Sequence, residues 1–261
     1  MSVPIVVAAF GTTSRAVQTY HYMDRIFRQR FPENEIHWAY ASRMVKDKLK
    51  HKQNIDRLHP YEVLSRLFHS GNRWAVVQSL FLTCGHEFYR LVDEVGQSGI
   101  RTSIGLPLLY APQDHAAVIN VFVPLVTVHP DEAIVCIGHG TDHPAWTTYT
   151  ALAHRLQMAF GPKVFMGVVE GGYPDRNAVI QAVRREGWTG VHLLPFMLVA
   201  GVHFEEDLAG CGDSWRQAFE SAGMRVNVEK NGLGMNPQIV EIFCKHIEAA
   251  LDVIPANQNS Q

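Results

Sequence analysis

The stretch "VAAFGTTSRAVQTYHYM" (residues 7–23) lies over "CIGHGTDHPAWTTYTAL" (residues 136–152) at a constant offset of 129. Phe10 falls on His139, Gly11 on Gly140, Thr12 on Thr141 and Tyr20 on Tyr149. The same register runs on to Phe31 over Phe160 and Ala41 over Glu170. Each stretch opens as an apolar run, passes a glycine-bearing turn and enters a longer amphipathic segment, the pattern of strand, turn and helix. Downstream, "LFLTCGHEF" (80–88) matches "PFMLVAGVHFEE" (195–206), which places His86 on His203 at an offset of 117. "APQDHAAVI" (111–119) matches "NPQIVEIF" (236–243), with Pro112 on Pro237. The first half is longer by a segment around "KLKHKQNIDRLHP" (48–60). This order predicts an internal duplication. The fold class is α/β, with two similar lobes, residues 1–128 and 129–261, each a parallel sheet flanked by helices, and a cleft between them. The second lobe is the one expected to carry metal-ligating side chains.

Strands are expected at Ile5–Ala9, Glu35–Tyr40, Ala75–Leu80, Thr102–Leu106, Ala133–Ile137, Val164–Val169, Gly190–Phe196 and Arg225–Glu229. Helices fill the gaps, among them Ala145–Phe160 and Ala178–Arg185, the former capped by Asp142 or His143 with Pro144 in its first turn. Continuously apolar strands alternating with helices imply parallel sheets covered on both faces. The chain has 261 residues, 47% of them hydrophobic, enough for one large core or two small lobes. A net charge of −2 gives no reason to expect nucleic acid or an acidic membrane as partner. The four cysteines, Cys84, Cys136, Cys211 and Cys244, have neither disulfide-framework nor zinc-ribbon spacing. That suits a reducing compartment. No apolar run reaches the ~18–20 residues of a membrane helix, and the N-terminal stretch lacks a signal-peptide pattern. A cytoplasmic protein is expected, and a homo-oligomer is compatible with everything above.

In the second half, each of the first three strands ends in a residue with chemistry: His139, Glu170 and His203. Strand carboxyl ends in such sheets share one rim, where ligands bind, and neighbouring strands are about 4.8 Å apart. Two imidazoles and a carboxylate suit a borderline divalent metal and also suit proton removal from a weakly acidic N–H. Taken singly, each has a structural reading: a hydrogen-bonded histidine, a helix-capping glutamate, a histidine beside the acidic turn Glu205–Asp207. His143 is a rival ligand, although Pro144 argues against a helical pairing with His139. In the first half, Phe10 and Ala41 stand where His139 and Glu170 would be, so Phe10 is expected to be an apolar wall. Arg43 and Lys46 in "YASRMVKDKLKHK" (40–52) suit a substrate with several carboxylates. Phe10, Tyr89, Met44 and Met197 would supply a flat apolar bed.

The motifs "GHGT", "VVEGGYP" and "AGVHFEEDLAG" in this order, with "FGTT" and "ASRMVKDKL" in the first half, resemble the anaerobic-pathway cobalt chelatases. These are sirohydrochlorin cobaltochelatases of the class II chelatase superfamily, and the resemblance spans nearly the whole chain. It implies a bilobal α/β enzyme that inserts Co2+ into a tetrapyrrole, sirohydrochlorin or precorrin-2, without a nucleotide; Fe2+ and Ni2+ suit the same ligands. It further implies that His139 and His203 are metal-binding histidines and Glu170 the motif glutamate, His139 and Glu170 being catalytic. Here the glutamate motif has an additional glycine, and "GVHF" stands at the second histidine. Phe10, Arg43, Lys46 and Tyr89 are the expected substrate contacts. Two rival readings are a non-catalytic metal or tetrapyrrole carrier and a histidine phosphotransferase; against the latter, no arginine adjoins His139.

Overall fold

The computed structural model describes residues 2–11, 17–41, 58–170, 172–201 and 204–255. Among them, two four-stranded parallel sheets are built in the same way. The first contains β1 (Ile5–Ala9), β2 (Ile36–Tyr40), β3 (Trp74–Ser79) and β4 (Arg101–Gly105), in the order β2-β1-β3-β4. The second contains β5 (Ala133–Gly138), β6 (Val164–Val168), β7 (Gly190–Phe196) and β8 (Arg225–Val228), in the order β6-β5-β7-β8. Every expected strand is present, with boundaries shifted by one residue at most. The interior strands β1, β5 and β7 are buried along their whole length, whereas β8 alternates between exposed and half-buried residues, as an edge strand does. Full burial of each Val, Leu or Ile in these strands contributes about 1.5–3 kcal/mol.

Helices connect the strands: α1 (Val17–Arg30), α2 (Pro60–His69) and α3 (His86–Gly96) in the first half, and α4 (Pro112–Val128) after β4. In the second half follow α5 (Thr147–Phe160), α6 (Arg176–Arg185), α7 (Trp215–Ser221) and α8 (Pro237–Asp252). The compact units are drawn differently from the expected lobes 1–128 and 129–261. One comprises Met1–Tyr110 with Ile239–Gln261, the other Ala111–Gln238. The reason is the apolar face of the last helix of each half. Phe122 of α4 is buried against Phe196 of β7, with ring centroids 6.5 Å apart. In the first unit, α8 buries Phe243 and Ile247, and its His246 Nδ1 meets the Leu106 carbonyl at 2.9 Å.

The duplication is legible bond by bond. The Gly11 amide donates to the Tyr20 hydroxyl at 3.3 Å, and 129 positions on the Gly140 amide donates to that of Tyr149. Leu108 N donates to Phe81 O, as Leu233 N does to Met197 O, which fixes Pro112 and Pro237 in one register. Two expected pairings are displaced by one: Phe81 corresponds to Met197, an offset of 116 and not 117, and Ala41 is shifted as well. Ala41 N bonds Ala9 O, while Val169 N bonds Gly138 O, so Ala41 corresponds to Val169 and not to Glu170. The stretch from Tyr149 to Val169 is one residue shorter than that from Tyr20 to Ala41. The counterpart of Glu170 is therefore position 42, outside the described residues.

Candidate metal centre

His139 is the first residue beyond β5, and Glu170 lies two beyond β6. The ladder between these strands continues past their ends. Val169 N donates to Gly138 O at 3.0 Å and Glu170 N donates to His139 O at 2.7 Å. These bonds place the two side chains next to each other on the rim. Gly140 makes the approach feasible: its φ is +87°, and a Cβ there would lie 1.8 Å from the Glu170 carbonyl oxygen. Beneath the turn, Tyr149 is buried, which pushes its phenol above the ordinary range, while the amide of Gly140 on its oxygen opposes that shift.

His139 Nδ1 and Glu170 Oε2 are 3.9 Å apart, with the side chains 44% and 58% exposed. That is too long for a hydrogen bond. The carboxylate thus stands beside the imidazole with room for a cation, which side-chain rotation would bring within about 2.0–2.2 Å of each. His139 Nδ1 also lies 3.2 Å from the Gly140 carbonyl; a proton donated there leaves the lone pair on Nε2 for a metal. The pair can therefore hold a divalent cation and keep a carboxylate open to solvent as a proton acceptor.

His143 has a structural task instead. Its Nδ1 accepts the Ala145 amide at 3.1 Å and caps the single 3-10 turn Pro144–Trp146 that precedes α5. Two exposed aromatics on the segments that follow β5 and β6 escaped the sequence reading. Trp146 and Tyr173 make an edge-to-face contact, ring centroids 5.6 Å apart, on the loops after β5 and β6. Their signal in the sequence is an aromatic directly next to each motif, "HPAW" and "EGGYP".

His203, Arg43, Lys46 and Met44 lie outside the described residues. The segment after His203 forms a π-helical turn, Phe204–Leu208, closed by Ala209 N on Phe204 O at 2.9 Å and anchored by the fully buried Leu208. Single π turns recur at functional sites. In the first unit, Phe10 follows β1 and is 47% exposed, and Tyr89 in the first turn of α3 is 51% exposed. Met197 is buried, because its position just past β7 turns it into the core; it does not belong to an exposed apolar bed. All four cysteines are free thiols, and no helix among the described residues is long and apolar enough to cross a membrane.

Comparison with known proteins adds the following. A family model described as "Cobalt chelatase (CbiK)" matches residues 4–252. The chain is 32% identical over 260 residues to the sirohydrochlorin cobaltochelatase of Salmonella typhimurium, covering 97% of this chain and 98% of that one. It is 31% identical over 261 residues to the sirohydrochlorin cobaltochelatase CbiKC of Nitratidesulfovibrio vulgaris, covering 96% and 91%. Among solved structures, SirB from Bacillus subtilis with Fe3+ superposes with a TM-score of 0.69 at 16% identity, covering 100% and 98% of the two chains, a likeness of fold.

Proposed function

The chain belongs to the cobalt chelatase (CbiK) family, and from that premise we propose that it inserts Co2+ into sirohydrochlorin, with His139, Glu170 and His203 holding the incoming metal. The assignment of residues rests on one observation, the bond from Glu170 N to His139 O that sets an imidazole and a carboxylate side by side on the rim of the second sheet.

In the reaction, Co2+ replaces two pyrrole N–H protons, so the products are the cobalt macrocycle and two protons. His139 Nε2 and His203 present the metal to one face of the ring. Glu170, open to water, accepts protons and releases them to solvent. The cation next to the pyrrole nitrogens lowers their proton affinity. Phe10 and Tyr89 contact the apolar face of the pigment, and Arg43 and Lys46 bind its carboxylates. The donor set also tolerates Fe2+ and Ni2+; the family description favours Co2+. Sirohydrochlorin is preferred to precorrin-2 because the curated relatives are named for it. Turnover requires no nucleotide, and the four free thiols suit the cytoplasm.

The test is the absorbance change of sirohydrochlorin with Co2+ against an enzyme-free blank, with and without ATP. Acceleration that is independent of ATP and lost in His139→Ala supports the proposal. Stoichiometric binding without acceleration would make the protein a carrier and contradict it.

A further inference from the structure

We propose that His129, Glu132 and His192 form a second site for a borderline divalent ion such as Zn2+, Co2+ or Ni2+, at the amino end of the second sheet. Strand β5 separates it from the rim: Glu132 immediately precedes the strand and His139 immediately follows it. At ~3.3 Å per residue the two sites are about 20 Å apart.

The site is assembled by backbone register. His129 ends α4, a short turn brings Glu132 to the start of β5, and His192 on β7 pairs with Ile134 of β5. His129 Nδ1 meets Glu132 Oε2 at 3.0 Å. The imidazoles of His129 and His192 stack with centroids 4.0 Å apart and planes inclined by 29°. One ligand atom from each of the three residues lies within 4.8 Å of the others. Small side-chain rotations bring such atoms onto one ion.

The buried state of His192 points to a ligand. It is only 7% exposed, and neither ring nitrogen has a hydrogen-bond partner among the described residues. A buried imidazole with two unmet nitrogens calls for an explanation; a cation accepting its lone pair supplies one. The surroundings are those of a supported ligand set. Asn227, opposite His192 on β8, donates to the other oxygen of Glu132, leaving Oε2 turned toward the histidines. Lys163 and Glu132 attract each other through charge, but the lysine makes its hydrogen bonds elsewhere. Its ammonium is held by the carbonyls of His129 and Pro130, at 2.5 and 2.7 Å, and braces the loop that presents His129. His129 is partly open to solvent, which gives an ion its way in and leaves room for a water as fourth ligand.

The experiment counts Zn2+ bound per chain by equilibrium dialysis of the full chain after chelator treatment. The rim is first disabled by His139→Ala with Glu170→Gln. This protein is expected to retain one Zn2+ per chain, and adding His129→Ala or Glu132→Gln is expected to abolish it, with circular dichroism unchanged. X-ray absorption of the Zn2+ retained by the rim-disabled protein needs no second-site variant and is expected to show scattering from two imidazoles. No Zn2+ retained by the rim-disabled protein, retention that survives both substitutions, or a shell of oxygen alone would overturn the proposal. An unaltered count between wild type and the rim-disabled protein would instead tell against the rim assignment.

Discussion

Gly140 and the carbonyl oxygen of Glu170 approach so closely that a Cβ on Gly140 would lie 1.8 Å from that oxygen. Replacing this glycine therefore forces the β5 and β6 loops apart. Gly140→Ala is expected to lose both stability and metal insertion, because a φ of +87° alone costs about 1–2 kcal/mol for an alanine and the clash adds to it. Gly172 supplies the control: its φ is +75° and a Cβ there meets nothing within 4 Å. Urea unfolding should show a smaller loss for Gly172→Ala than for Gly140→Ala. Equal losses would refute the role given to the contact.

Tyr149→Phe removes the hydroxyl that receives the Gly140 amide and is expected to cost about 1 kcal/mol. Tyr20→Phe, its counterpart beneath Gly11, should cost a similar amount. Only the former should also lower kcat, since His139 lies in the turn above Tyr149, whereas Phe10, in the turn above Tyr20, is a pigment contact and bears on KM. Matched denaturation and rate measurements on both variants check this.

Burial of Tyr149 also predicts a pH dependence. Its phenol is raised in the folded protein above the ordinary value of 10.0. Above that pH the unfolded chain releases the proton while the folded chain retains it. The stabilisation is thus complete below pH 10 and declines as pH rises toward the folded value, by at most about 1.4 kcal/mol per unit for one group. Tyr149→Phe should flatten that decline; a stability curve of unchanged slope would contradict it.

Trp146 and Tyr173 present exposed rings on the segments after β5 and β6, which also carry His139 and Glu170. Their mutual contact is worth about 0.5–1.5 kcal/mol. Trp146→Ala is expected to raise KM for sirohydrochlorin more than it lowers kcat, as loss of a platform for a flat ligand would. A fall in kcat with KM unchanged would place the ring in the chemical step instead.

Much of this architecture was legible in the chain because β1 and β5 are buried on both faces and read as unbroken apolar runs, β7 being interrupted only by His192, and because a repeated strand-turn-helix carries the same glycine and tyrosine in each half. The placement of His139 and Glu170 followed from that topology. What the sequence concealed depends on events after the strands. One residue fewer between Tyr149 and Val169 than between Tyr20 and Ala41 moved the counterpart of Glu170 from Ala41 to position 42. The partnership of α4 and α8 is a matter of which surface their apolar faces meet, and sequence order does not encode it. Met197 read as an exposed apolar contact because its neighbours in sequence lie on the rim, yet it turns inward. The His129–Glu132–His192 group stayed invisible because His192 sits in an apolar strand 60 positions away from its neighbours and only pairing with Ile134 brings it there.

Cobalt coordination at the rim of the second sheet is the central claim. A crystal of the protein with Co2+, recorded at the cobalt absorption edge, should show an anomalous peak at the rim of the second sheet within about 2.0–2.2 Å of a His139 nitrogen and a Glu170 carboxylate oxygen, distances typical of such ions. A peak at the rim that touches neither residue, or no rim peak at all in protein that still metalates sirohydrochlorin, would contradict it.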